Sequence, residues 1–272
     1  MRYLKLSAVY ALSPETEFDV VIKGELTGVL KLLNDLGYDG IEYNIPNPFN
    51  VEVSRLKRHT FDYNLRVSAL STGLSYLTYG YSLSSPSKEL REKALSFFKK
   101  YIELSVDLES FKVVIGLARG TCGSKDNPCD EALRRFKNSL KILDDYAVKH
   151  NVTLLLEPLN RYETRLINKL DLAIGIAREF KSVKILLDTF HTLLEERNVY
   201  DSINRVGALL GHVHVADSNR LAPGMGMLDW ERIIYRLVRI GYKGYLSVEA
   251  RVEPSLKELL EISIRTLKPL II

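Results

Sequence analysis

Two patterns of apolar residues alternate along this chain. Short continuous runs, such as Leu154-Leu155-Leu156 and Ile185-Leu186-Leu187, are separated by stretches in which apolar positions recur every three or four residues. The second pattern predicts helices with one buried face. It is clear at Leu26, Val29, Leu30, Leu33 and Leu36, and again at Leu90, Ala94, Phe97, Phe98, Tyr101 and Leu104. Leu133, Phe136, Leu140, Leu143 and Ala147 repeat it. The short runs predict strands covered on both faces, which is the habit of parallel sheets. They fall at residues 4–11, 40–44, 66–71, 112–118, 153–158, 183–189, 211–216 and 244–250.

Eight strands alternating with helices predict an α/β fold, a single (β/α)8 TIM barrel as one domain over residues 1–272. Gly37-Tyr38-Asp39-Gly40 and Gly241-Tyr242-Lys243-Gly244 each join a helix to a strand, as a repeated unit would require. A doubly wound open sheet explains the same alternation. It lacks support because no Gly-x-Gly-x-x-Gly follows an early strand.

Composition narrows the function classes. The chain is 46% hydrophobic and 26% charged, ordinary for a globular protein with an ample core. Its net charge of +4 is spread along the chain, and the densest basic cluster is the short Arg55-Leu56-Lys57-Arg58-His59. Charge therefore gives no support for a nucleic-acid partner. The Met1-Arg2-Tyr3-Leu4-Lys5 start has no leader pattern, and no apolar run approaches the roughly 20 residues that span a bilayer. A cytoplasmic protein without a membrane partner is the expectation. Cys122 and Cys129 share one loop and fit no common zinc spacing; two loop thiols are the favoured reading, since disulfides are rare in the cytosol, and a disulfide between them is left open.

Four apolar runs end in a residue able to bind a metal: Glu157, Asp188, His214 and Glu249. They lie roughly 30 residues apart, about one strand-plus-helix unit. A barrel opens its active site at the C-terminal ends of its strands, so four successive strands would deliver these four residues to one place. Each has a duller reading alone. Glu157 could pair with Arg161 or Arg165, and Asp188 could cap a helix. In His212-Val213-His214 both rings share one face, roughly 6–7 Å apart along the strand. His214, nearer the strand's end, is the expected ligand, and His212 a deeper core histidine. Three carboxylates and one imidazole form a hard, oxygen-rich set that suits manganese first, then magnesium or cobalt, with zinc also open.

The segments Glu157-Pro158-Leu159-Asn160-Arg161-Tyr162-Glu163, Asp188-Thr189-Phe190-His191 and His212–Arg220 carry a resemblance, as do Pro223-Gly224-x-Gly226-x-x-Asp229-Trp230 and Ser247-Val248-Glu249-Ala250. The chain resembles the xylose-isomerase-like barrel superfamily, and within it the ketose 3-epimerases. The resemblance covers residues 153–250 well and the N-terminal half by architecture alone. It implies that Glu157, Asp188, His214 and Glu249 bind a divalent metal and that Glu163, His191 and Arg220 touch a sugar. It also implies that Glu157 and Glu249 act as acid and base through a metal-stabilised enediolate. The implied partner is a small sugar or sugar phosphate, and the implied assembly a homo-oligomer, dimer or tetramer.

Aldose–ketose isomerases, hydroxypyruvate isomerase and metal-dependent dehydratases share such a site and remain alternatives. A barrel-type AP endonuclease needs further metal ligands. The third predicted strand ends in Leu70-Ser71-Thr72-Gly73 without histidine, and the chain has five histidines in all. A non-catalytic sugar-binding protein would not need both glutamates. The glycine loop 218–228 is open to two readings, a turn or a phosphate contact through Arg220. Tyr10, Glu42, Tyr43 and the loop 73–85, with Tyr76, Tyr79 and Tyr81, are expected to lie at or after strand ends, where they could line the pocket.

Overall fold

The computed structural model describes residues 4–13 and 15–271. The Met1-Arg2-Tyr3 start discussed above lies outside them. Eight parallel strands close into a barrel in chain order: β1 (Lys5–Ala11), β2 (Gly40–Asn44), β3 (Arg66–Ser71), β4 (Lys112–Ile115), β5 (Thr153–Leu156), β6 (Val183–Asp188), β7 (Leu210–Val215) and β8 (Tyr245–Val248). The seam closes β8 against β1, with Leu6 beside Leu246 and Ser7 beside Ser247.

Alternation along each strand explains why the runs are apolar throughout. Leu155 and Leu186 cluster with Ala69 and Val114 inside the barrel. Their neighbours Leu154, Leu156, Ile185 and Leu187 join the larger core under the helices. The same alternation carries the inward face upward from Leu155 to Glu157, from Leu186 to Asp188, from His212 to His214 and from Ser247 to Glu249. All four predicted ligands therefore reach the C-terminal mouth.

Several expected boundaries shift. The strands end at Ile115, Leu156 and Val248, short of the predicted ends, though the Glu157 and Glu249 amides still bond the neighbouring strands at Ile115 O and Val215 O. The segment 73–85 opens with a helix, Gly73–Tyr79. The helix Leu26–Leu36 starts where the Glu25 side chain accepts from the Thr27 and Gly28 amides, and ends at Gly37 with φ +81°.

The favoured reading of two loop thiols gives way to the alternative left open: Cys122 and Cys129 form a disulfide with Cα atoms 4.9 Å apart. The loop folds back on itself between them, through Gly123 N–H to Asn127 O and Asn127 N–H to Ser124 O. That local turn brings the sulfurs together, a feature that spacing alone does not reveal.

Candidate active site

Glu157, Asp188, His214 and Glu249 are buried, and each offers a ligand atom within 4.8 Å of the others. The ion pair considered for Glu157 does not form. Arg161 instead binds Glu195, with its amide and Nε both 2.8 Å from Oε1, and Arg165 is exposed. Asp188 does cap a helix, accepting from the His191 amide through Oδ1 at 2.9 Å. Its Oδ2 turns to the Arg220 guanidinium at 3.2 Å. The cap and the mouth position are thus two uses of one carboxylate.

Arg220 reaches Glu249 Oε2 with its other terminal nitrogen at 2.9 Å, and stacks over Phe190 at 4.8 Å. It sits at φ +63°, a costly conformation for a side-chain-bearing residue. The turn that imposes it is built on Asp217, which accepts from the amides of Ser218, Gly224 and Leu228 and from the Trp230 indole. A Cβ on Gly226 would lie 2.2 Å from Asp217 Oδ1, so only glycine packs there. The glycines therefore serve the turn. The Ser218, Gly224 and Leu228 amides of this loop donate to Asp217.

His191 is fixed by Asn160. The Asn160 Oδ1 accepts from the Tyr162 amide at 2.9 Å, which orients the amide so that Nδ2 donates to His191 Nδ1 at 2.7 Å. His191 then presents Nε2–H to the cavity, 3.9 Å from Glu163. Burial, followed by nearby Arg220, holds this imidazole well below its usual range and hence neutral. Glu163 stands at the rim, with its carboxyl raised by burial.

Beneath the mouth, His212 donates from Nε2 to Glu42 Oε2 at 2.8 Å. Glu42, expected to line the pocket, is instead fully buried under His214. Tyr10 and Tyr43 also depart from that expectation. Their hydroxyls bond Gly24 O and Thr60 Oγ1, and both rings lie in the core beneath the helices. Tyr79 and Tyr81 stack on each other and pack edge-on against Phe97.

The donor set fits a divalent cation. Glu157 Oε1 and His214 Nδ1 are buried, have no hydrogen-bond partner, and face each other at 3.3 Å. Burial pushes the Glu157 carboxyl up to about 7. Burial opposes charge on His214, but Glu42 and Glu249 outweigh it and hold the imidazolium well above the usual range. A cation taken by these atoms must displace their protons. Manganese affinity is therefore expected to fall as pH drops through about 7. Titrations on either side of that pH check it, and equal affinities would refute the linkage.

The cavity above the four residues is lined by Phe18, Asn44, Leu117, Leu159, Glu163 and His191, among others. A larger cavity of about 440 Å³ lies at the opposite mouth, beside Lys112 and Lys184, and holds none of the predicted site residues. Two supporting residues escaped the sequence reading, Arg119 and Asp217. Fully buried Arg119 donates to the carbonyls of Leu166 (2.7 Å), Gly116 (3.1 Å) and Glu157, pinning the chain that carries the Glu157 carboxylate.

These features define a parallel β/α barrel with a candidate metal site at its C-terminal mouth. The chain belongs to the xylose isomerase-like TIM barrel family, which it matches over residues 30–270. It is 36% identical over 201 residues to a D-psicose 3-epimerase of Enterocloster bolteae, covering 68% of this chain and 64% of that protein, slightly under two thirds of the relative. It is 27% identical over 230 residues to a 3-dehydro-D-guloside 4-epimerase of Escherichia coli, covering 82% and 86% of the two chains. The crystal structure of D-psicose 3-epimerase with D-tagatose from Clostridium cellulolyticum H10 shares the fold, with a TM-score of 0.83 over 98% of each chain at 23% identity. No helix among the described residues is long and apolar enough to cross a membrane.

Proposed function

We propose that this chain is a divalent-metal-dependent epimerase of a free ketose, inverting the carbon next to the carbonyl, C3. The observation that carries this reading is the convergence of two buried carboxylates, Glu157 and Glu249, on His214 Nδ1, at 3.3 and 3.5 Å. Named 3-epimerases among its relatives support it.

A divalent cation, manganese in first place for so oxygen-rich a donor set, would polarise the substrate carbonyl and offset the negative charge that develops on its oxygens. One glutamate takes the C3 proton, leaving the bonding pair in the enediolate. The other returns a proton to C3 from the opposite face. The carbon is inverted with no net oxidation or reduction, so no redox cofactor is required. Arg220 and the Nε2–H of His191 donate to the sugar oxygens and hold the reacting carbon between the two carboxylates.

Charge favours an unphosphorylated sugar. Arg220 is already engaged by Asp188 and Glu249. The loop amides are taken by Asp217. Four carboxylates face one guanidinium, so even a bound divalent ion leaves the mouth no surplus of positive charge to attract a phosphate dianion. The 4-epimerase relative motivates a second reading, with the same proton chemistry at C4 of a 3-keto sugar.

Proton exchange in deuterated water, followed by NMR across free and phosphorylated ketoses, tests the proposal. Chelator-sensitive deuterium at C3 of a free ketose, with its C3 epimer appearing, is the expected result. Exchange confined to C1 would make the protein an aldose–ketose isomerase. Exchange at C4 of a 3-keto sugar would select the second reading, and silence with every sugar would defeat both.

A further inference from the structure

His214 belongs to two candidate ligand sets. One is Glu157, Asp188, His214 and Glu249; the other is Glu42, His212 and His214. The sets use opposite ring nitrogens. Nδ1 faces Glu157 and Glu249, whereas Nε2 lies 3.0 Å from Glu42 Oε1. A neutral imidazole has one lone pair, so it can serve one set at a time.

We propose that Glu42 is the positioning residue that decides between them: it keeps the proton of His214 on Nε2 and so leaves Nδ1 to the metal. The carboxylate is wholly buried, and its three partners are all groups able to donate. Ser71 Oγ and His214 Nε2 reach Oε1, and His212 Nε2 reaches Oε2 at 2.8 Å. An ionised carboxylate only accepts, so each partner must offer its hydrogen. His212 thus presents N–H to Glu42, and its Nδ1 is left buried without a partner. The lower set is a network of satisfied donors, not a cage of lone pairs. A cation there would have to strip protons from two rings.

The arrangement also holds the ring's direction. Glu42 stands on β2, and His214 on β7. The bond crosses the barrel interior and ties the ligand to a strand that supplies no residue to the upper set. Carboxylates placed behind metal-binding histidines fix tautomer and orientation, and their loss typically weakens metal binding by about 10- to 100-fold.

The inference rests on the metal-site reading above, but its test does not use turnover. In full-length protein saturated with Zn²⁺ and labelled with ¹⁵N at histidine, long-range NMR spectra are expected to show His214 protonated at Nε2 and metal-shifted at Nδ1. Metal on Nε2, or a proton on Nδ1, overturns the proposal without any variant that must fold. Glu42→Gln keeps the shape and one acceptor oxygen but removes the charge. Its Mn²⁺ Kd is expected to rise about 10- to 100-fold, with the manganese EPR spectrum at saturation altered. Should that variant not fold, Glu42→Asp, which keeps the charge and withdraws it by one methylene, is expected to weaken Mn²⁺ in the same direction. A folded variant with unchanged Kd and spectrum sinks the idea, as does wild-type protein that takes up no divalent ion. Tight Mn²⁺ on Nδ1 without sugar exchange would defeat the epimerase reading and leave the role of Glu42 standing.

Discussion

Glu249→Gln is expected to cut turnover by a factor of about 100 to 10,000 at saturating metal, while the fold is kept. Glutamine has the same shape and retains an oxygen for the Arg220 contact, which is 2.9 Å in the parent. It lacks the negative charge and cannot shuttle a proton at C3. Metal occupancy must be measured alongside, because Glu249 also stands in the ligand set. Glu157→Gln should produce a loss of the same order, and the double variant little more, since one carboxylate's removal of the C3 proton and the other's delivery of a new one are both required for a single inversion. Wild-type turnover in metal-loaded Glu249→Gln would refute the two-carboxylate mechanism.

Arg119→Leu is expected to destabilise the metal-free protein by about 3 kcal/mol or more, because several buried carbonyls lose their donor at roughly 1 to 3 kcal/mol each. The melting temperature should fall by about 10 °C. Burial lowers the guanidinium pKa to about 10, so the group remains charged at neutral pH and keeps its donors. The carbonyls of Glu157, Leu166 and Ile167 would be left unpaired. Arg119→Lys should recover little, since an ammonium cannot reach partners arranged around a planar fork. Urea unfolding without metal separates this effect from ligand binding. A wild-type midpoint for Arg119→Leu would show that the carbonyls find other donors.

The sequence made the upper half of the site legible for a simple reason. A carboxylate or imidazole at the end of an apolar run is both conspicuous and, in a barrel, at the mouth. Glu157, Asp188, His214 and Glu249 share that signature, and the structure gathers them. His212 was also legible, because two residues along a strand face the same way. Glu42 carried a weaker signal. It lies inside β2 between Ile41 and Tyr43, and nothing local says whether it opens to the pocket or sits beneath it. Its partners His212 and His214 are 170 and 172 residues away. Arg119 looks like an ordinary loop residue, because most of its partners are backbone carbonyls of a segment 38 to 48 residues away, and Asp217 does too, because its partners are amides and an indole that only the folded loop turns toward it. The disulfide eluded the reading for a related reason: the local turn between residues 123 and 127 sets it, not the count of residues between the cysteines.

By itself, the sequence determined the alternation of strand and helix, the inward face of each strand and the identity of the four residues that reach the mouth. Periodicity and chain order suffice for these, because each strand's pattern is set locally. The tertiary structure alone decided which nitrogen of His214 faces the other three ligands, that Arg220 bridges Asp188 and Glu249, and that Asp217 takes up the amides of its own loop. Those outcomes depend on distances between strands far apart in sequence and on which buried donor meets which acceptor. A linear pattern of apolar and polar residues does not encode such pairings.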